Sequence, residues 1–577
     1  MNLTKKNIHA GKYSSDFEKT ILNLEKNLVT VRIREKDTTL WKKGDEYETL
    51  IMNRLGWLFL PEIMTDACDS IISFTDEIRN EEFKYAVVLG MGGSSMCPEV
   101  CRETFGVQQG YLNLHVLDST DPDTVLKIEN SIEIEKTIFI VSSKSGGTIE
   151  VDSFFRYFFE KVKSVNPENP GGNFIAITDP STELETRASE NKFRKIFINP
   201  SDIGGRYSAL SYFGLVPAAL IGVDIKKLLV NAKKVMYNCI SEEAENNFGL
   251  ITGALAGALA KKKVNKITFI LPEKIKSFGY WVEQLIAEST GKEGMGIVPV
   301  EGEKLSKVSD YGKDRFFVNI KLGKSSDKEK ETIKNLKKNK FPLLEIKLKD
   351  IYDIGGQFYL WEYATSIMGC ILGINPFDEP NVKESKDNTG EVLKYYQENQ
   401  KLPVQTPVFT GKSFRLFLND EMFSKNLSGK KMKRKWKAGN YLKYFINKNR
   451  EGDYIAIMAY IENNSENKKL LLKIRELLKR KLNAATTVGF GPRFLHSTGQ
   501  LHKGGDDSGM FIQIVNEDRK DAKIPGKPYS FSVLKQAQAI GDFESLLKHN
   551  RRVIKIGTGK NVTGGLKKLY SDFKKVL

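Results

Sequence analysis

From about residue 83 the chain alternates short, unbroken apolar runs with longer stretches whose apolar positions recur at helical spacing. The runs are "YAVVLG", "LHVLDS", "TIFIVSS", "NFIAIT" and "KIFINPS". Continuous apolar runs bounded by turns predict parallel strands buried on both faces, and their alternation with helices predicts a doubly wound α/β sheet. After a helical stretch near 207–260 the pattern restarts with "KITFILP" and continues to about 400, so a second, similar sheet is expected. A polar, proline-containing stretch, "ENQKLPVQTPVFTGK" (398–412), then separates a C-terminal region. There "DYIAIMAYI", "TTVGFGP" and "GMFIQIV" read as strands around the helical "NKKLLLKIRELLKRKL". The expected organisation is an N-terminal helical extension over 1–80, two α/β domains over 81–240 and 241–400, and a C-terminal α+β domain over 401–577. Several domains are required in any case, because single hydrophobic cores stop growing near roughly 250 to 300 residues and this chain has 577. No repeat with a period of 20–50 residues marks a solenoid.

Composition narrows the partners only a little. The net charge is +17, from 89 basic and 72 acidic residues, which favours anionic ligands in general. The densest basic run, "KKMKRKWK" at 430–437, carries a single aromatic, Trp436, where a nucleic-acid stacking surface needs several. It reads as a solvated face, and no nucleic-acid partner is expected. No segment approaches the roughly 20 consecutive apolar residues that span a bilayer, and "MNLTKKNIHAGK" lacks the apolar centre of a secretory signal. A cytoplasmic protein with no membrane partner is expected. The cysteines Cys68, Cys97, Cys101, Cys239 and Cys370 are odd in number and scattered, which reads as reduced and structural, with no zinc site.

Chemistry concentrates in five stretches. In "VSSKSGGTIE" (141–150) a strand feeds a Gly/Ser turn that opens a helix. Backbone N–H groups, hydroxyls and the positive helix end then converge on one spot, which suits a dianionic phosphate ester. Ser143, Ser145 and Thr148 supply hydroxyls, and Gly146 and Gly147 let the backbone come close; an ordinary turn capped by Thr148 or Ser145 is the plainer reading. A second glycine-rich turn, "LGMGGSSM" (89–96), begins like a dinucleotide fingerprint, but Ser95 stands where the third glycine or alanine should fall. "GGRYS" (204–208) puts the Arg206 guanidinium near a sheet edge, as an ion pair or as a stabiliser of oxyanion charge. In "WVEQLIAESTGKEG" (281–294) Gln284 and Glu288 share one helical face, and a carboxylate at that helix end can remove a proton from carbon. "NPFDEPNVKESKDN" (375–388) is a turn opening a helix that carries Lys386.

Taken in order, Gly-x-Gly-Gly-Ser (90–94), Ser-Lys-Ser-Gly-Gly-Thr (143–148), Gly-Gly-Arg-Tyr-Ser (204–208), Gln-x-x-x-Glu-Ser-x-Gly-Lys (284–292) and Asn-Pro-Phe-Asp (375–378) resemble the phosphoglucose isomerase family. The C-terminal "GFGPRFLHSTGQLHKGGDDSGMFIQI" (489–514) is similar to the isomerase half of transaldolase/phosphoglucose isomerase fusion proteins, so a free-standing isomerase of that subgroup is expected. The resemblance implies two sugar isomerase (SIS) domains, no cofactor or metal, and interconversion of glucose 6-phosphate and fructose 6-phosphate. It further implies that Ser143, Lys144, Ser145 and Thr148 bind phosphate and that Gly93 and Ser94 line the sugar site. Glu288 is implied as the base, Arg206 as the enediolate stabiliser, Gln284 as a substrate contact and Lys386 as an aid to ring opening. The implied partner is a small sugar phosphate, and a homodimer is allowed.

Two departures qualify the resemblance. Glu379 stands where the family often has Gln, adding negative charge beside the site. No histidine occurs between His115 and His496, although many members open the sugar ring with a histidine that follows the base. His502, or failing it His496, is expected to take that role from the C-terminal domain. Two other functions are kept open: a sugar-phosphate-binding SIS protein without activity, and a dinucleotide-dependent oxidoreductase using Asp118.

Overall fold

The computed structural model describes residues 7–418 and 436–577 and contains three sheets. The first is wholly parallel, in the order Asn113–Leu117, Tyr85–Gly90, Thr137–Ser142, Phe174–Thr178, Lys195–Ile198. Tyr85–Gly90 passes outward to Asn113–Leu117, and the chain then returns to Thr137–Ser142 on the other side. The order therefore reverses between Tyr85–Gly90 and Thr137–Ser142, and Gly90 lies in register with Ser142. Ligands in open α/β sheets bind beyond the carboxyl ends of strands at such a reversal. Both glycine-rich turns leave from this point.

The second sheet runs Leu343–Leu348, Arg315–Leu322, Lys266–Ile270, Val298–Val300, all parallel. The strand Ile8–His9 adds antiparallel to its edge. The mostly helical residues 7–80 are bound into this body: the Trp41 indole donates to the Ser366 carbonyl (2.8 Å) and the Tyr359 hydroxyl to the Leu58 carbonyl (2.9 Å). One continuous apolar core, from Ala10 to Phe377, serves these helices and the facing sides of both sheets.

The C-terminal region differs from the α+β expectation. Ala485–Phe490, Tyr454–Tyr460, Gly509–Val515 and Arg552–Gly557 are parallel neighbours joined by helical crossovers, and only the edge strands Phe409–Thr410 and Arg415–Phe417 run antiparallel. It is a third α/β unit. The basic run at 430–437 lies outside the described residues except Trp436 and Lys437. The helix Phe531–Lys548 of this unit buries Phe531, Leu534, Ala537 and Ile540 against the outer face of the first sheet, among Phe154, Phe158 and Leu393. That packing carries the C-terminal loops to the reversal point. Among the described residues no helix is long and apolar enough to cross a membrane, and all five cysteines are free thiols.

Candidate active site

The loop 143–148 follows a fully buried strand, Thr137–Ser142, and opens the helix Ile149–Val165. Gly146 adopts φ +70°, and a Cβ there would come within 2.8 Å of the Thr182 side chain and 2.9 Å of the Leu184 nitrogen, so only glycine fits. At Gly147 a Cβ would meet open space. The Ser143 and Thr148 hydroxyls share a hydrogen bond of 3.0 Å, and the Thr148 side chain makes no capping bond. The first-turn N–H groups of this helix are therefore not consumed by the cap that the plainer reading expects. The Lys144 ammonium, expected at the phosphate, is held by the Asp179 carboxylate and the Ser201 carbonyl (3.1 Å).

The second glycine turn is packed from three directions. A Cβ on Gly93 would lie 2.0 Å from the Gly205 carbonyl oxygen; one on Gly92, at φ +55°, would lie 2.9 Å from the His496 carbonyl oxygen and 3.0 Å from the Gln284 amide nitrogen. The backbone at Gly92 and Gly93 is thus the meeting place of the Gly205–Tyr207 turn, the helix Phe278–Thr290 and the C-terminal Arg493–His496 turn. Ser94, the next residue, is buried at the start of the helix Gly93–Phe105.

Arg206 is 2% exposed and makes a dense set of contacts. Nη1 lies 2.8 Å from the Glu379 carboxylate and 3.3 Å from Glu288 Oε1. Nε donates to Ser289 Oγ (2.7 Å), and Nη2 to the carbonyls of Pro376 (2.8 Å) and Asp378 (2.9 Å). The Gln284 amide donates both to Glu288 Oε2 (3.0 Å) and to the His496 carbonyl (2.8 Å). Burial pushes the Glu288 carboxyl up, the Arg206 guanidinium opposes that, and the Glu379 charge pushes it further up. At Glu379 the guanidinium overcomes burial and holds the carboxyl below the ordinary value. Lys292, bonded to Asp378 Oδ1 (2.6 Å), is lowered to about 8 by burial and by Arg206.

A cavity of about 120 Å³ has a wall that includes Gly147, Glu150, Lys386, His496 and Gln538 but neither Glu288 nor Arg206. Gly147 of the 143–148 loop, the lysine expected to aid ring opening and a histidine of the C-terminal unit thus share one cavity, and Gln284 ties that histidine's backbone to Glu288. His496 Nε2 lies 2.9 Å from Glu150 Oε1, and the same oxygen accepts from the Gln538 amide (2.7 Å). His496 outweighs burial and keeps the Glu150 carboxyl below its ordinary value.

His502 is not on this wall, contrary to the first expectation for the C-terminal histidines. It is 3% exposed, and its ring packs 4.9 Å from Phe511 and 6.2 Å from Phe494, measured between centroids. Its Nδ1 is buried without a partner, and burial, with Lys503 and Arg551, pushes its pKa well down. Helical spacing in "HSTGQLH" cannot tell which histidine faces the neighbouring unit. Glu150 was missed for a related reason: an acid in the first turn of a helix ordinarily complements the helix dipole. Asp118, kept for a ribose, is engaged by Ser95 (3.4 Å) and Arg493 (3.4 Å).

Residues 63–307 match the family model of phosphoglucose isomerase. The chain is 27% identical over 376 residues to a glucose-6-phosphate isomerase of Methanocaldococcus jannaschii, covering 58% of this chain and 92% of that one. It is 28% identical over 375 residues to one of Campylobacter jejuni, covering 58% and 90%. A hypothetical protein from Thermus thermophilus shares the fold, with a TM-score of 0.58 at 22% identity, over 68% of this chain and 99% of that one. The stretch that matches the phosphoglucose isomerase model holds both glycine turns, Arg206, Gln284 and Glu288.

Proposed function

We propose that the chain is an aldose–ketose isomerase that interconverts glucose 6-phosphate and fructose 6-phosphate through a cis-enediolate, as a cytoplasmic enzyme of sugar-phosphate metabolism. The observation that supports the mechanism is the buried Glu288–Arg206 pair, 3.3 Å apart, linked through Gln284 and the His496 carbonyl to a cavity that joins Gly147 of the 143–148 loop to Lys386 and His496. The loop Ser143–Thr148 holds the phosphate through its hydroxyls and first-turn N–H groups, and Gly93 and Ser94 border the sugar. Opening the pyranose requires a proton to leave the anomeric hydroxyl and one to reach the ring oxygen. His496 and Lys386 share these transfers, and Glu150, 2.9 Å from Nε2, orients the imidazole. Glu288 then takes the proton from C2 and returns it to C1 while the hydroxyl proton passes from O2 to O1, and Arg206 stabilises the negative charge on the enediolate oxygens. Gln284 holds the base in place. Every residue named comes from one chain, so the reading does not depend on a homodimer.

A coupled assay converting fructose 6-phosphate to glucose 6-phosphate tests the activity, and Glu288→Gln tests its base. Losing the base is expected to lower kcat by at least about 10³-fold while sugar-phosphate affinity stays within about threefold. Binding without turnover in the wild-type chain would overturn the enzyme reading, and retained exchange at C2 in Glu288→Gln would overturn the base assignment.

A further inference from the structure

Six lysines are buried among the described residues: Lys266, Lys292, Lys479, Lys503, Lys535 and Lys555. Five have a carboxylate oxygen within 3.3 Å of the ammonium, namely Asp314, Asp378, Glu476, Asp542 and Asp121 respectively. This is the usual rule, because a charge removed from water is costly unless it is paired. Lys555 breaks it. It is 5% exposed, its Nζ donates to the neutral Gln405 side chain at 2.7 Å, and among the described residues no carboxylate lies at ion-pair distance. Its ammonium lies 5.8 Å from the Phe417 ring centroid and 5.6 Å from that of Phe543. Burial lowers its pKa to about 8 against the longer-range pull of Glu544 and Asp542, and Asp542 is already bonded to Lys503 (2.7 Å).

The unbalanced charge borders a cavity of about 180 Å³, far from the 143–148 loop in the sequence and lined by different residues. Its walls include Leu402 and Gln405 of the linker, Asn516 and Gln536, and the backbone at Gly557 and Gly559. The cavity lies at the carboxyl ends of the parallel strands Gly509–Val515 and Arg552–Gly557, the edge at which α/β sheets take ligands. Gly559, at φ +59°, precedes the 15-residue helix Val562–Val576. The Arg415 guanidinium reaches within 3.9 Å of where a Gly557 Cβ would sit, and it pairs with Glu517, the one acidic residue on the wall.

We infer that this cavity of the C-terminal α/β unit is a second anion site, in which a small metabolite bearing a carboxylate or phosphate group supplies the counter-charge that the fold withholds from Lys555. The site is separate from the cavity proposed for isomerisation and stands whether or not that reading holds.

The test follows the melting temperature of the full chain in chloride, inorganic phosphate or malonate at one ionic strength. The variant Gln405→Glu places a carboxylate beside the amine from the protein's own side, and Lys555→Met removes the charge. In the wild-type chain phosphate, malonate or both are expected to raise Tm by about 2–4 °C over chloride, and the anion that does so identifies the preferred group. Gln405→Glu is expected to melt higher than wild type in chloride, and both variants to lose that anion gain. Phosphate stabilisation that persists in the variants reports the 143–148 loop. If neither anion stabilises the wild type more than it stabilises Gln405→Glu and Lys555→Met, the inference is wrong.

Discussion

Glu379 holds the shorter of two bonds to Arg206, 2.8 Å against 3.3 Å for Glu288. Its negative charge both repels the Glu288 carboxylate and competes for the guanidinium, and each effect favours a protonated base. Removing that charge in Glu379→Gln should lower the Glu288 pKa, so the acid limb of kcat/KM moves to lower pH; an unmoved limb would mean the two carboxyls do not interact. The histidines divide by environment in the same way. His496 has a carboxylate at 2.9 Å and a place on the cavity wall, whereas His502 has aromatic rings around it. His496→Ala is expected to slow turnover of the cyclic substrate by about 10²- to 10⁴-fold, the usual worth of a general acid or base. His502→Phe is expected to leave ring opening within about threefold while changing stability, as read by kinetics with anomerically pure sugar and by denaturant titration.

The helix Phe278–Thr290 and the glycine turns act as elements rather than as single residues. Its buried face presents Gln284 and Glu288 one turn apart, and Gln284 bonds across to the His496 carbonyl, so the register of the helix sets where Glu288 lies relative to the His496 turn. The approach of the Gly205 turn to Gly93 is closer than any side chain permits. Gly93→Ala would put a methyl group 2.0 Å from a backbone oxygen that no rotamer change can move. The expected cost is about 1–3 kcal/mol of stability, with a larger fractional loss of kcat because Arg206 follows Gly205 directly. Urea denaturation paired with kinetics checks both, and full activity at wild-type stability would show that the turn is not held there.

At the scale of the molecule the C-terminal unit is clamped to the first sheet through buried polar groups as well as apolar ones. Lys535 and Asp121 are each about 1% exposed or less and lie 2.8 Å apart, with Asp518 also bonded to the same amine. Thr120 donates to Gln538 (2.7 Å), and Gln538 donates to the Glu150 that faces His496. Lys535→Met strands a buried carboxylate at Asp121 and should cost about 3–5 kcal/mol, with activity falling in parallel because His496 arrives through this interface. Lys535→Met combined with Asp121→Asn should recover part of that loss, since the charge stranded at Asp121 is removed while Asp518 still lacks its cation; a double variant no better than the single would place the loss elsewhere.

Periodicity and local motifs determined much of this protein. Continuous apolar runs such as "TIFIVSS" can only be strands covered on both faces, and the glycine turns after them admit few uses other than close backbone approach. The parallel character of the C-terminal strands was not legible, because "DYIAIMAYI" and "GMFIQIV" satisfy either pairing direction and their direction is set by the crossover helices. Nor could the chain reveal which of His496 and His502 faces the cavity, that Asp179 takes up Lys144, or that Lys555 has no carboxylate beside it among the described residues. Those are questions of which groups from distant segments come within a few ångströms of each other, and packing of the three sheets decides them. Spacing along one element fixes which side chains share a face; only the assembled interior fixes what that face meets.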